Sequence, residues 1–183
     1  MSSSNPASVS ADPGSLSGFA QAACLAVGAL IYIVWLVRWL QKGEYAVGKP
    51  RNIFYEFENY GLGASMVYAV GFFESLLATG LFTAVFVPSL SWLAFYAALG
   101  EWFLMVGATF KHIRTRDDPL SRAKPAFGLI FVCACISASD CPDYIDANIF
   151  LMVTGVVFVG LVVAAFRKNP SQELTPHEDP LLK

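Results

Sequence analysis

Positive charge is missing from most of this chain. Only 14% of the 183 residues are charged, whereas a soluble domain typically has about 25%. No lysine or arginine occurs in residues 1–37, 52–110 or 125–166, and the twelve basic residues fall into short clusters between and after these stretches. Basic loops beside apolar spans are retained on the cytoplasmic side of a membrane, so this pattern predicts a multi-pass membrane protein.

Histidine is also scarce, and Cys133 and Cys135 are separated by one residue, which is not the C-x-x-C spacing of a redox motif. His112 and His177 are the only histidines, so the spans cannot hold a haem between paired histidines, and no group of side chains has metal-ligand spacing. Cys133 and Cys135 lie within an apolar run, where we expect them to behave as small apolar residues. Cys141 lies in a loop and is available for a disulfide in an oxidising compartment. The net charge of −2 gives no general attraction to nucleic acid.

The long apolar runs predict an all-α membrane bundle. We expect five spans, at about 19–40, 61–87, 90–110, 125–139 and 147–166. The fourth span covers only about 23 Å at about 1.5 Å per residue, so four spans with one segment dipping into the membrane is the alternative. The bundle then occupies residues 18–168. The flanking segments, 1–17 and 169–183, are rich in Ser and Pro or acidic, and we expect both to be disordered.

The charge pattern also predicts an orientation. Five spans with the N-terminus outside place every basic cluster, and the C-terminus, on the cytoplasmic side. The uncharged pair Pro88-Ser89 and the acidic loop 140–146 then lie outside. The sequence does not indicate which membrane holds the protein.

Two features predict how the helices pack. Only Pro88 and Ser89 separate the second and third spans, which must therefore form a tight antiparallel hairpin. On the second span, Gly71, Ser75 and Thr79 recur every four residues. Small residues at this spacing let helix backbones approach closely in a membrane, so we expect them at a helix–helix contact.

Two carboxylates, Glu74 and Glu101, lie inside the predicted spans at similar depth, about 18–21 Å from the Pro88-Ser89 turn. An ionised carboxylate at the centre of a bilayer costs about 2.5–3.5 kcal/mol on insertion scales. If both face the bundle, one carboxyl keeps its proton and the pair offers a polar site for a head group or a proton. The alternative is that each carboxyl bonds neighbouring hydroxyls, such as that of Tyr68, and only holds the bundle together.

His112 follows Glu101 by eleven residues, or about three helical turns, and lies on nearly the same face. At the cytoplasmic boundary it could relay protons or bond a quinone carbonyl, and the alternative is an interfacial anchor. Glu74, Glu101, His112 and Tyr68 are therefore the candidate site residues. A quinone is the candidate ligand, with Tyr68 or Trp102 against its ring.

The stretch from Tyr68 to Ala138 contains Val-Gly-Phe-Phe-Glu at 70–74, Thr-Gly-Leu-Phe at 79–82, Leu-Met-Val-Gly-Ala at 104–108 and Lys111-His112. This stretch resembles the DoxX-like family of small helical membrane proteins. The resemblance implies a four-helix core and places Glu74 and His112 at recurrent polar positions of the family. It also implies a range of roles, since members include membrane subunits of sulfur- or quinone-linked oxidoreductases, parts of redox-defence assemblies and chaperones for receptor assembly. A fifth span and a longer loop at 41–60 depart from the family pattern.

The sequence favours a non-catalytic accessory, scaffold or assembly subunit of a membrane complex, with a membrane protein or a second copy as partner. The main alternative is a quinone-linked oxidoreductase subunit that uses the intramembrane carboxylates. A small transporter or proton channel is a weaker alternative, because the chain has no inverted repeat.

Overall fold

The chain folds as an all-α protein, which confirms the fold class predicted from the sequence. The computed structural model describes residues 16–40, 53–115, 124–139, 141–142 and 145–167, so most of segment 1–17 and all of 169–183 lie outside the described residues. The helices are α1 (Gly18–Leu40), α2 (Ile53–Asn59), α3 (Ala64–Phe86), α4 (Leu93–Arg114), α5 (Lys124–Ser139) and α6 (Ala147–Phe166). By length and composition α1, α3, α4 and α6 can each cross a membrane, and α5 is a shorter apolar helix.

The helices α1, α3, α4 and α5 form a ring around one buried interior. Helix α1 packs on α3, α3 on α4, α4 on α5, and α5 returns to α1. Helix α6 lies outside this ring, against α5 and α4, and the short α2 packs on α3. Many of the buried side chains are small, among them Ala20, Ala78, Ala98 and Ala134. Close van der Waals packing of such residues holds helices together in a membrane, where lipid tails are as apolar as the side chains.

The α3–α4 hairpin turns through a short 3₁₀ helix, Pro88–Leu90. Pro88 suits the first position of this turn because its missing N–H has no partner there. The two helices then approach closely at Gly100, where a Cβ atom would lie 2.8 Å from the Leu77 side chain. The hairpin is tight because α4 has no side chain at this contact.

The small-residue face of α3 lies against α1. A Cβ atom on Gly71 would lie 2.7 Å from the Trp35 ring, so any larger residue there would force the ring to shift. One turn further on, the Tyr32 hydroxyl lies 3.1 Å from the Ser75 carbonyl oxygen and 2.6 Å from the Thr79 Oγ1. The face therefore provides both a close approach and hydrogen bonds between the helices.

Asp146 sets the start of α6. Its carboxylate accepts hydrogen bonds from the backbone N–H groups of Asn148 at 2.8 Å and Ile149 at 3.4 Å, which satisfies donors that have no partner within the helix. Phe150, one turn into α6, then packs against Trp102 of α4 with ring centroids 6.1 Å apart. The cap and this contact between aromatic rings fix the N-terminal end of α6 beside the ring of helices.

Candidate functional site

Glu74 is buried in the middle of α3 and bonded across to α1. Only 9% of the residue is exposed. Its Oε2 accepts a hydrogen bond from the indole N–H of Trp35, and the guanidinium group of Arg38, one turn further along α1, attracts it electrostatically. Glu74 thus has a polar partner inside the bundle. Trp35 supplies this donor from α1.

Glu101 of α4 is more deeply buried than Glu74 and has no such partner. It is 0% exposed, and neither of its carboxyl oxygens has a hydrogen-bond partner among the described residues. It is close enough to interact electrostatically with Glu74 on α3, and Cys133 on α5 is close enough to interact with both Glu101 and Cys24 of α1. All the helices of the ring therefore contribute a group to this part of the interior.

Other buried polar atoms, on α4, α5 and α6, also lack partners among the described residues. They are the Trp102 Nε1, Thr109 Oγ1, Ser137 Oγ and Thr154 Oγ1. Native proteins leave few such groups, and each one calls for a physical explanation, such as a bound molecule. Trp102 follows Glu101 directly on α4, so a carboxyl group and an indole N–H that lack partners among the described residues lie at similar depth, about 100° apart around the helix.

A second polar cluster lies at the opposite end of α4 from the Pro88–Leu90 turn. The Tyr60 hydroxyl donates to Glu56 Oε1 at 2.7 Å and lies 2.9 Å from His112 Nδ1. Glu56 forms an ion pair with Arg38, and its Oε1 lies 3.9 Å from His112 Nε2. The Lys111 ammonium group donates to the Tyr60 carbonyl oxygen at 3.3 Å. Glu56 therefore connects α1, α2 and α4 at this end of the bundle.

The structure divides the candidate residues predicted from the sequence. It brings Glu74 and Glu101 within electrostatic reach of each other in the ring interior. It places His112 in the Glu56 cluster instead, about three turns along α4. Tyr68 is 56% exposed on the outside of α3, with its ring against those of Trp39 and Phe54.

Sequence reasoning did not single out Glu56, Tyr60 or Arg38. The spacing of Glu56 and Tyr60, four residues apart, was the available signal, because residues at that spacing share a helix face.

The described residues contain no group of three or more side chains suited to a metal ion. All the cysteines are free thiols. Partial burial and the Asp146 carboxylate raise the pKa of the Cys141 thiol, which lies in the connection between α5 and α6. Among the described residues, Glu101 is the buried carboxyl group whose hydrogen-bonding capacity is unmet.

The sequence model of the DoxX-like family matches residues 16–137 of this chain. The matched stretch begins just before α1 and ends within the last turn of α5, so it covers the ring of helices and both polar clusters. Helix α6 lies beyond it. Neither a curated protein nor a solved structure matches the chain.

Proposed function

Because this chain belongs to the DoxX-like family of membrane proteins, we propose that it is a membrane subunit that binds a lipid-soluble ligand at Glu101. The ligand carries a polar head group with hydrogen-bond acceptors, and a quinone is the class that fits best. This is the quinone-linked function considered from the sequence. It takes precedence over the accessory role because a buried polar group now supports it.

The observation that carries the proposal is the unpartnered Glu101 carboxyl. Leaving a polar group buried without a hydrogen bond costs about 1–3 kcal/mol in proteins. A role confined to holding the bundle together does not account for that cost, because Glu101 forms no hydrogen bond with any of the described residues. A ligand that accepts a hydrogen bond from the protonated carboxyl would remove the cost when it binds.

The chemistry of the donors fits a quinone. Glu101 and Trp102 can each donate a hydrogen bond to a carbonyl oxygen, since neither group has another partner among the described residues. Glu74 would then be the second carboxyl through which a proton is exchanged with the head group. A bound quinone would supply the two-electron redox chemistry that amino-acid side chains lack.

Ligand binding tests this proposal directly. The purified protein in lipid nanodiscs is titrated with a short-chain ubiquinone analogue, and binding is followed by quenching of tryptophan fluorescence. Losing one buried hydrogen bond of about 1–3 kcal/mol weakens binding by about 5- to 150-fold, so we expect a loss in this range for Glu101→Met. Thr109→Val is the matched control, because Thr109 is also buried on α4 but lies about 12 Å further along the helix. Equal affinity in the wild type and Glu101→Met would reject the site.

An accessory or assembly role is the second candidate, and α6 is the observation that favours it. This helix lies outside the ring and outside the family match. Cβ atoms added to Gly155 and Gly160 would meet nothing within 4 Å, so another helix could approach the α6 backbone closely there. The partner would be a membrane protein or a second copy of the chain.

Oligomer formation in lipid distinguishes the two faces of α6. Gly155 and Gly160 point about 140° apart on a helix of 3.6 residues per turn. If α6 mediates association through the face of Gly155, energy transfer between fluorescently labelled copies in liposomes will fall in Gly155→Leu and persist in Gly160→Leu. Energy transfer that is absent in the wild type, or the same in both variants, would count against association through that face.

The orientation inferred from charge, with the N-terminus outside and the C-terminus cytoplasmic, belongs to the same proposal. The Arg38–Glu56 ion pair and the contact of Lys111 with Tyr60 support it, because they bring the basic ends of α1 and α4 together. Cys141 should then react with a membrane-impermeant maleimide added outside intact cells, and Cys141→Ser should not be labelled. Labelling of Cys141 only after the membrane is permeabilised would indicate the opposite orientation.

A further inference from the structure

The hydrogen bonds of the Glu56 cluster form a continuous chain with one direction. The Tyr60 hydroxyl carries a single proton and donates it to Glu56 Oε1 at 2.7 Å. The Tyr60 hydroxyl oxygen can in turn accept a hydrogen bond from His112 Nδ1 at 2.9 Å. Both distances are those of ordinary hydrogen bonds, and both Glu56 and His112 are 8% exposed. A protonated His112 is thus joined to the Glu56 carboxylate through one hydroxyl.

A proton can pass along this chain with no other reactant. His112 gives its Nδ1 proton to the Tyr60 oxygen as the hydroxyl proton moves to Glu56 Oε1. The imidazolium becomes neutral imidazole, the tyrosine is unchanged, and the Glu56 carboxylate becomes a carboxylic acid. One positive and one negative charge disappear together, so the partly buried cluster gains no net charge.

Arg38 links this step to the interior of the bundle. It is ion-paired with Glu56 and is also close enough to attract Glu74 electrostatically. When Glu56 takes up a proton, its ion pair with Arg38 loses the negative charge, and the attraction of Arg38 for the Glu74 carboxyl becomes relatively more important. A proton that arrives at Glu56 therefore favours the departure of a proton from Glu74.

We propose that Glu56, Tyr60 and His112 form a proton-exchange site at the basic end of the bundle and that Arg38 couples this site to Glu74. The inference deepens the proposed function and rests on it, because it assigns the route by which protons for a ligand beside Glu74 and Glu101 are exchanged with one side of the membrane. Arg38 acts here as a positioning residue, because it works through Glu74 and does not touch the ligand.

The charged and titratable groups that contact Glu56 come from three neighbouring parts of the chain. They are Arg38 from α1, Tyr60 directly after α2, and His112 from α4. Lys111 of α4 lies beside the cluster, bonded to the Tyr60 carbonyl oxygen. Glu58 lies on α2 as well but is exposed. It therefore offers a matched control, a carboxylate on the same helix outside the chain of hydrogen bonds.

Trp35 provides the readout, since its indole N–H is bonded to Glu74. The whole protein is labelled with 5-fluorotryptophan in nanodiscs, and the ¹⁹F resonance of Trp35 is assigned by its loss in Trp35→Phe. The sample is acidified from about pH 8 to about pH 4, which brackets the ordinary pKa values of histidine and carboxylic acids. We expect the Trp35 resonance to move in the wild type and in Glu58→Gln. In Glu56→Gln, which imitates protonated Glu56, it should remain at the wild-type acid position at every pH.

A Trp35 resonance that moves equally in Glu56→Gln and the wild type would overturn the proposal, as would one that does not move in the wild type. Tyr60→Phe keeps the aromatic ring but removes the hydroxyl that links His112 to Glu56. It provides a second test if Glu56→Gln fails to fold. After rapid acidification, its Trp35 fluorescence should change at least about tenfold more slowly, and an unchanged rate would reject the route.

These outcomes are separate from those of the proposed function. Quinone binding can fail while the Trp35 resonance follows Glu56, in which case the ligand assignment is wrong and the coupling is right.

Discussion

Glu74 and Glu101 lie at similar depth on neighbouring helices, yet we expect opposite effects on stability when each is replaced by methionine. Methionine is unbranched and close in length to glutamate, so each replacement mainly removes the carboxyl group. Glu74→Met leaves the Trp35 indole N–H buried without an acceptor, which costs about 1–3 kcal/mol. Glu101→Met removes a buried group that has no partner among the described residues, so it should stabilise the ligand-free protein by about 1–3 kcal/mol.

A change of 1 kcal/mol shifts the unfolding temperature of a protein of this size by about 2–4 °C. We therefore expect the melting temperature to fall by about 2–12 °C in Glu74→Met and to rise by a similar amount in Glu101→Met. The assay is the fraction of protein that remains monodisperse after heating in detergent, measured after extensive washing to remove bound lipids. A quinone analogue should raise the melting temperature of the wild type but not that of Glu101→Met, because only a protein that binds the ligand is stabilised.

Two conservative variants sharpen this test. Glu74→Gln keeps an oxygen that can accept from Trp35 and should lose less stability than Glu74→Met. Glu101→Gln keeps a buried polar group without a partner and should gain less than Glu101→Met. If Glu101→Met lowers the melting temperature of washed protein as much as Glu74→Met does, then Glu101 has a structural partner and the reasoning is wrong.

Two further predictions follow from the packing of α1 on α3 and from the loop before α6. Gly71→Ala places a methyl group 2.7 Å from the Trp35 ring and should cost about 1–3 kcal/mol in the same assay. In Gly107→Ala the new methyl group meets nothing within 4 Å, so its melting temperature should not fall. The raised pKa of Cys141 leaves less thiolate near neutral pH, so maleimide should react more slowly than with an ordinary thiol. Asp146→Asn keeps a residue able to cap α6 but removes the nearby charge, so it should lower this pKa and speed the reaction at the same pH. An unchanged rate would exclude the electrostatic cause.

The all-α membrane fold could be predicted because the length of each apolar run can be read directly from the sequence. Runs of about 20 apolar residues specify helices in a membrane whatever their neighbours are, and the structure contains helices of that kind at α1, α3, α4 and α6. Which helices of the ring contact each other could not be predicted in the same way. The spacing of Gly71, Ser75 and Thr79 indicates a packing face but does not say which helix covers it, and that helix is α1.

The partners of the buried carboxyls could not be predicted for the same reason. Depth along the chain places Glu74 and Glu101 at one level, but the rotation of each helix decides what each side chain meets. Glu74 turns toward Trp35, whereas Glu101 turns toward groups that offer it no hydrogen bond. The Glu56 cluster was harder still to foresee, because its members are separated by up to 74 positions along the chain, from Arg38 to His112.

The central claim, that Glu101 is a ligand-binding group, is tested most directly by an experimental structure of the purified protein in a lipid bilayer. The account predicts density for a lipid-soluble head group within hydrogen-bond distance of Glu101, between α3 and α4. Glu101 hydrogen-bonded to a neighbouring side chain, with closely packed helices and no such density, would contradict it.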